Sequence, residues 1–261
     1  MKIVVAIKQV SERDTRLHIA PNGKWIDEAD LQWAMNEPDA YALEEALLLK
    51  EKVGGEVIVV SAGPERIGST IREALAKGAD RAIHIVTDDL GRLALTNIDA
   101  LGVARLLAAA IKPENPDLVL TGLQSEDVGL GQTGVIVAEL LGLPHATMIL
   151  QVEKTDSGLK VKRELEEGWF QSIELPMPAV VTMQSGGNKL RYATLMGIKR
   201  AKTKELRTLA AAELEVDSTP TVVLEQISAP KKQKTTQILP GAAKEAAAAL
   251  VEKLKTEARV L

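Results

Sequence analysis

Apolar runs and segments with helical apolar spacing alternate over the first 141 residues. Continuous apolar runs bounded by Gly or Pro predict buried strands, and an apolar period of three to four residues predicts helices. The pattern predicts strands at 3–7, 57–61, 82–86 and 118–120. It predicts helices at 39–52, 64–77, 97–111 and 131–141, with Asn97 as the N-cap of the third. This alternation is typical of a parallel sheet with helices on both faces.

The pattern changes after Pro144, where strand-like segments follow one another without helices at 147–152, 159–164, 169–174 and 179–183. They predict an antiparallel extension or edge of the sheet. Beyond Lys199 the chain is more polar, and it ends in an alanine-rich segment that favours a helix at 241–254. The predicted fold class is therefore α/β: a three-layer domain with a mostly parallel sheet, an antiparallel extension and a C-terminal arm and helix.

The predicted division of the chain is an α/β domain at 1–204, with its strand-rich part at about 147–184, and an arm with a helix at 205–261. The arm either packs on a partner subunit or folds back on its own domain, and the sequence does not separate the two.

Composition narrows the function classes. A net charge of −4 argues against nucleic-acid binding, and no apolar run approaches the ~20 residues of a membrane span. The N-terminal MKIVVAIKQV resembles a strand more than a targeting signal, so a cytoplasmic protein is expected. The absence of cysteine excludes thiolate catalysis and cysteine metal sites, and the three histidines do not have metal-motif spacing.

The loop at 117–134, DLVLTGLQSEDVGLGQTG, carries the clearest chemical signal. A strand, a glycine-rich loop and a helix start follow one another, which directs free backbone N–H groups toward an anion. Residues 129–134 match GxGxxG, but they follow the fourth strand and lack Gly-Lys-Ser/Thr, so neither a Rossmann fingerprint nor a Walker A loop is indicated. The loop is either an anion or nucleotide site, with Ser125, Gln132 and Thr133 as donors, or a plain connection.

Three other segments follow predicted strands, at 6–9, 36–39 and 62–66. In open α/β sheets ligands bind beyond the carboxyl ends of strands, so these segments and the loop can form one pocket. The adjacent pairs Glu44–Glu45 and Glu166–Glu167 are predicted to be solvated, since neighbours in sequence point to different faces.

The segment 191–199 places apolar residues beside a basic cluster. It is either a helix packed on the core with a basic rim or an exposed apolar anchor suited to transient docking.

Eight segments occur in a characteristic order along the chain: MKIVVAIKQV, ALEEALLLKEK, SAGP, ALAKGADRAIHI, DLVLTGLQSED, QTG, VKRELEEGWFQSIELPMPAVVT (161–182) and RYATLMGIKRAK (191–202). In this order they resemble the β subunit of electron transfer flavoprotein over 1–204. The resemblance implies a heterodimer with an α subunit that holds most of the FAD. It implies an electron carrier, without side-chain bond-making chemistry, between acyl-CoA or other dehydrogenases and an acceptor oxidoreductase.

The resemblance also implies a buried adenine nucleotide in this chain: AMP in ordinary carriers, or a second FAD in the electron-bifurcating branch, which oxidises NADH. Leu195 is the implied dehydrogenase anchor, and Glu164 is implied to face the partner subunit. The nucleotide contacts implied by motif are Ala6, Asn36, Asp39, Ala62, Gln124, Asp127, Gly129, Gln132, Thr133 and Gly134.

The chain departs from the family pattern at two places: SEDVGLG precedes QTG, and residues 36–39 have the order Asn36-Glu37-Pro38-Asp39. The identity of the bound nucleotide, AMP or a second FAD, therefore stays open. A stand-alone nucleotide-binding module of the universal-stress type is the third hypothesis.

Overall fold

The computed structural model describes residues 1–88, 98–230 and 236–261. These residues form two compact units, Met1–Ile227 and Ser228–Leu261. The first unit contains a nine-stranded sheet with helices on both faces and a small two-stranded ribbon. Among the described residues, no helix is both long enough and apolar enough to cross a membrane.

The strands begin with β1 and are numbered in chain order. Their bounds are Lys2–Ala6 (β1), Gln9–Ser11 (β2), Trp33–Met35 (β3), Glu56–Gly63 (β4), Arg81–Val86 (β5), Leu118–Gly122 (β6), His145–Lys154 (β7), Leu159–Glu164 (β8), Phe170–Leu175 (β9), Ala179–Met183 (β10) and Leu206–Ala210 (β11). The large sheet has the order β11-β5-β4-β1-β6-β10-β7-β8-β9, and β2 pairs with β3 in the ribbon. The predicted α/β class with a mostly parallel sheet and antiparallel strands is confirmed.

Strand β10 departs from the predicted topology. The sequence pattern places it in an antiparallel extension, but β10 lies between β6 and β7 and runs parallel to both. In the described part of the sheet, the antiparallel pairs are β7–β8 and β8–β9. The sequence AVVTM is buried along its whole length, which suits a strand that has a neighbour on each side and helices on both faces.

Strand β11 was not predicted. It pairs parallel to β5 at the sheet edge, with Leu206 opposite Ala82, although its residues fall within the predicted C-terminal arm. Its sequence LRTLA interrupts apolar residues with Arg207 and Thr208 and is partly exposed, as an edge strand allows, and this weakens the apolar signal.

The helices of the first unit are Glu37–Val53 (α1), Gly68–Lys77 (α2), Ala100–Ile111 (α3), Thr133–Leu141 (α4) and Leu195–Ala201 (α5). The predicted helix at 64–77 begins as a 3-10 turn, Glu65–Ile67, before α2. Asn97, the predicted cap of α3, lies outside the described residues. The helix begins at Ala100, and the Asp99 side chain caps it by accepting the N–H of Gly102 at 2.9 Å.

Alternate residues of β1 belong to two separate cores. Ile3 and Val5 pack on one face with residues of α1 and α2, and Val4 and Ala6 pack on the other with residues of α3 and α4. Both cores consist mainly of aliphatic side chains, because the whole chain has only one Phe, two Tyr and three Trp. The parallel strands are therefore apolar on both faces, which explains why the central strands read as continuous apolar runs.

The second unit contains one further helix, Ala243–Lys253 (α6), followed by a π-helical turn at Leu254–Ala258. The alanine-rich C-terminal helix is thus confirmed. None of the residues of α6 is buried within the described chain, and its apolar residues Leu250 and Val251 are exposed.

Candidate functional site

A cavity of about 190 Å³ opens where the parallel strands β1, β4 and β6 end. Eight of the ten predicted nucleotide contacts line it: Ala6, Asn36, Asp39, Ala62, Gln124, Gln132, Thr133 and Gly134. The other two, Asp127 and Gly129, lie in the same loop but do not line the cavity. The structure therefore brings together segments that are more than 100 residues apart, at the sheet edge where ligands of open α/β sheets bind.

The loop between β6 and α4 has a defined shape. Gly129 and Gly131 have φ values of 61° and 64°, a conformation that side chains with a Cβ rarely adopt. The Asn36 side chain holds the first part of the loop: its Nδ2 donates to the Gln124 carbonyl, and its Oδ1 accepts the N–H of Glu126, both at 3.0 Å. Asn36 thus fixes the path of the loop from the N-cap position of α1.

Helix α4 points its first turn toward the cavity, with Gln132, Thr133 and Gly134 in the lining. In the part of the chain that the structure describes, no side chain caps this turn, so its N–H groups remain available to a ligand. Gly134 allows the close packing behind it, because a Cβ there would lie 2.4 Å from Thr121 Oγ1 and 2.8 Å from Thr182 Cγ2. The arrangement suits an anionic group of a ligand.

Asp39 lies in the floor of the cavity and is buried. Its carboxylate accepts the N–H of Lys8 at 2.7 Å and the N–H of Gly122 at 2.9 Å, so it joins the ends of β1 and β6. Burial raises the pKa of Asp39 to about 7, although both hydrogen bonds favour the ionised form. Gly122 must lack a Cβ here, since one would lie 2.2 Å from Asp39 Oδ1.

Lys8 is the basic side chain that the described lining contributes. Its Nζ lies 2.7 Å from the Asp127 carboxylate and 3.3 Å from Ser125 Oγ, which ties the strand β1 side to the loop. Burial acts to raise the pKa of the Asp127 carboxyl, but the Lys8 ammonium and nearby hydrogen-bond donors outweigh it, so the pKa is lowered. Asp127 therefore acts on the cavity through Lys8.

Helix α3, with Val103 and Leu107, and Ile98 just before it supply an apolar wall that sequence reasoning missed. Asp99 also lines the cavity and accepts hydrogen bonds from Thr221 N and Oγ1, both at 2.7 Å. Helix α3 precedes β6, and only the topology brings it over the strand ends. Among the described lining residues there is no aromatic side chain, so the wall is aliphatic.

The predicted docking and partner residues lie away from the cavity. Leu195 is the first residue of α5 and is 87% exposed. Glu164 is the last residue of β8, is half-buried and pairs with Phe170 on β9.

The prediction that Glu44 and Glu45 are solvated is wrong, because both are buried in α1. Glu44 is paired with Arg191, and Glu45 accepts the N–H of Val152 at 2.7 Å. Burial raises the pKa of Glu45. The second pair, Glu166 and Glu167, is exposed as predicted.

The fold and cavity define a doubly wound α/β protein with a ligand-sized cavity at its strand ends. The family model described as "Electron transfer flavoprotein domain" matches residues 24–214. The chain is 42% identical over 218 residues to electron transfer flavoprotein subunit beta of Methylophilus methylotrophus, covering 82% of this chain and 81% of that protein.

Two further relatives align over the whole chain. The mitochondrial electron transfer flavoprotein subunit beta of Oryza sativa subsp. japonica is 36% identical, with 100% of each chain covered. Electron transfer flavoprotein subunit beta of Homo sapiens is also 36% identical, covering 100% of this chain and 99% of that protein. The chain therefore belongs to the electron transfer flavoprotein β-subunit family.

Proposed function

We propose that this chain is the β subunit of a heterodimeric electron carrier, which moves electrons from acyl-CoA or other dehydrogenases to an acceptor oxidoreductase. The FAD that carries the electrons is held mainly by the α subunit, and this chain completes the complex and orients it. The supporting observation is full-length similarity to β subunits together with the cavity at the strand ends. We expect the heterodimer to be cytoplasmic.

The cavity is proposed to hold an adenine nucleotide, and its residues fit such a group. Gln132, Thr133, Gly134 and Ser125 would hold the phosphate beside the uncapped first turn of α4. The apolar wall from α3 would cover the base and the ribose. We favour AMP over a second FAD, since the described lining offers no aromatic side chain to stack on an isoalloxazine ring.

The nucleotide itself takes no part in electron transfer in this proposal. FAD supplies the redox chemistry when it is bound, whereas Asp39, Asn36 and Lys8 hold the shape of the nucleotide cavity through contacts to β1, β6 and the loop. The chain contributes structure and electrostatics and contributes no bond-making side chain.

Two surfaces are proposed to meet the α subunit. The first is the hairpin tip of β8 and β9 around Glu164, where Trp169 is 71% exposed and Phe170 is also exposed. Large exposed apolar side chains beside a charged residue are typical of an interface. The second is the segment 228–261, whose helix α6 buries none of its residues within the described chain. Because β11 belongs to the sheet, we place the start of the packing arm after Ile227.

The proposal is tested by co-expressing the chain with its α subunit and mixing the purified complex with a flavoprotein dehydrogenase and its substrate. The expected result is a stable heterodimer whose visible flavin absorbance is lost on reduction. Oxidation of NADH by the same complex, with two FAD per heterodimer, would instead assign it to the bifurcating branch. A colourless chain that is stable as a monomer and does not bind the α subunit would refute the proposal.

A further inference from the structure

The segment 192–198 presents an apolar patch to solvent. Tyr192 is 91% exposed and Leu195 is 87% exposed, and Met196 and Ile198 are also exposed. We call these four side chains the docking patch. Helix α5 buries only Ala201 among its residues, so the patch contributes little to the core. Four exposed apolar residues within seven positions are more than a solvated surface requires, which points to a surface that meets another protein.

The base of this segment is fixed by one side chain. Arg191 Nε donates to both oxygens of the Glu44 carboxylate at 3.0 and 2.9 Å, and Nη2 donates to Oε1 at 2.9 Å. The backbone N–H of Arg191 donates to the same carboxylate at 3.0 Å, and Nη1 donates to Glu51 Oε1 at 2.7 Å. Glu44 is only 4% exposed. These hydrogen bonds fix both the backbone and the side chain of Arg191 against α1.

The other end of the segment is fixed on α2. Thr194 caps α5 by accepting the N–H of Gly197 at 3.0 Å. A Cβ on Gly197 would lie 2.2 Å from the Ala76 carbonyl oxygen, so the glycine lets α5 lie directly against α2. The patch is therefore carried on a short helix that is held from two sides, while its own side chains remain exposed.

A buried ion pair is weak evidence for stability, because the cost of desolvating both charges offsets most of their attraction. It does fix geometry, since a planar guanidinium binds a carboxylate in one orientation. A docking segment that is ordered before binding also avoids the entropy cost of ordering during binding. The cluster of Arg191, Glu44 and Glu51 lies one residue before the docking patch. Its main effect is therefore to fix the geometry of the patch.

We infer that Arg191, held by Glu44 and Glu51, is a positioning residue that fixes the docking patch for an electron-donating flavoprotein dehydrogenase. The inference rests on the proposed function, in which Leu195 is the dehydrogenase anchor. Arg191 acts through the patch and need not touch the dehydrogenase itself. Its loss should weaken docking and leave the bound flavin unchanged.

The test uses the purified heterodimer as the electron acceptor of a flavoprotein dehydrogenase. Arg191→Lys keeps the positive charge but cannot contact Glu44 and Glu51 together in the same way. We expect KM for the heterodimer to rise about three- to tenfold. This is the effect of having to order one or two additional side chains when the dehydrogenase binds. The value of kcat, the FAD content and the melting temperature should remain close to those of the unmodified protein.

Two further variants separate positioning from overall folding. The pair Glu44→Gln with Arg191→Gln removes both charges of this partly buried pair together and should raise KM at least as much as Arg191→Lys. Glu51→Gln changes a carboxylate on a residue that is exposed and keeps the Glu44 contacts, so its effect should be less than about twofold. A fall in FAD content together with the rise in KM would identify a general folding role and overturn the inference.

Combination with Leu195→Ala decides whether Arg191 acts through the patch. Leu195→Ala alone should raise KM, and Arg191→Lys added to it should cause little further change, because a misplaced anchor and a missing anchor are equivalent. If Leu195→Ala leaves KM unchanged, the docking role in the proposed function fails and the positioning role with it. If Leu195→Ala raises KM but Arg191→Lys does not, or if the two effects add fully, docking stands and the positioning role is overturned.

Discussion

The buried carboxyl of Asp39 makes the free energy of unfolding fall as pH rises. Its pKa is raised by burial from an ordinary value of 3.8 to about 7. The folded state therefore holds the proton more tightly than the unfolded state. This stabilisation is fully present below the unfolded pKa and is lost as pH rises through the folded pKa. Most surface carboxyls that gain a partner behave in the opposite way.

The magnitude follows from the two pKa values. Between about pH 5 and about pH 8, the change in proton binding by this one group lowers the free energy of unfolding by about 2–3 kcal/mol. The two N–H groups of Lys8 and Gly122 remain hydrogen-bonded to the carboxylate above pH 7, so the cavity floor should stay intact while the protein becomes less stable.

The assay is urea unfolding of the purified protein across this pH range, with Asp39→Asn as the matched variant. Burial also raises the pKa of Glu45, and this changes the pH dependence of unfolding equally in both proteins. The difference between their pH profiles therefore isolates the contribution of Asp39. We expect the Asp39→Asn profile to be flatter by the amount given above. Parallel profiles for the two proteins would refute the assignment of a raised pKa to Asp39.

Two further substitutions probe the cavity and helix α1. Gly134→Ala should reduce stability by about 1–3 kcal/mol and release the nucleotide, because its Cβ would clash with Thr121. Gly68→Ala, which has open space, is its control and should change unfolding by no more than a few tenths of a kcal/mol; equal effects would contradict the packing argument. Glu45→Ala should cost about 1–3 kcal/mol in urea unfolding, since the buried N–H of Val152 loses its acceptor, and an unchanged midpoint would contradict this.

Much of the fold follows from local pattern. Strands β1, β4, β5 and β6 are predominantly apolar because both of their faces are buried, and α1 shows helical spacing because its apolar residues line one core. Such signals depend only on residues close in the chain. The order of strands in the sheet depends on residues that are distant in the chain. The place of β10 between β6 and β7 could therefore not be predicted from its apolar sequence.

The candidate site shows the same division between local and distant information. The glycine-rich loop and the start of α4 are adjacent in the chain, and their convergence with the ends of β1 and β4 follows from a parallel sheet. The pairing of Lys8 with Asp127 spans 119 residues, and the pairing of Arg191 with Glu44 spans 147. The burial of Glu44 depends on the second of these, so no local pattern indicates it.

An electron carrier subunit whose cavity holds a mononucleotide should release FAD and AMP in equal amounts. Denaturing the purified heterodimer and quantifying the released FAD and AMP by chromatography measures this most directly. We predict one FAD and one AMP per heterodimer, with AMP lost and FAD kept in Gly134→Ala. Two FAD without AMP, or FAD with no adenine nucleotide attributable to this chain, would contradict the account.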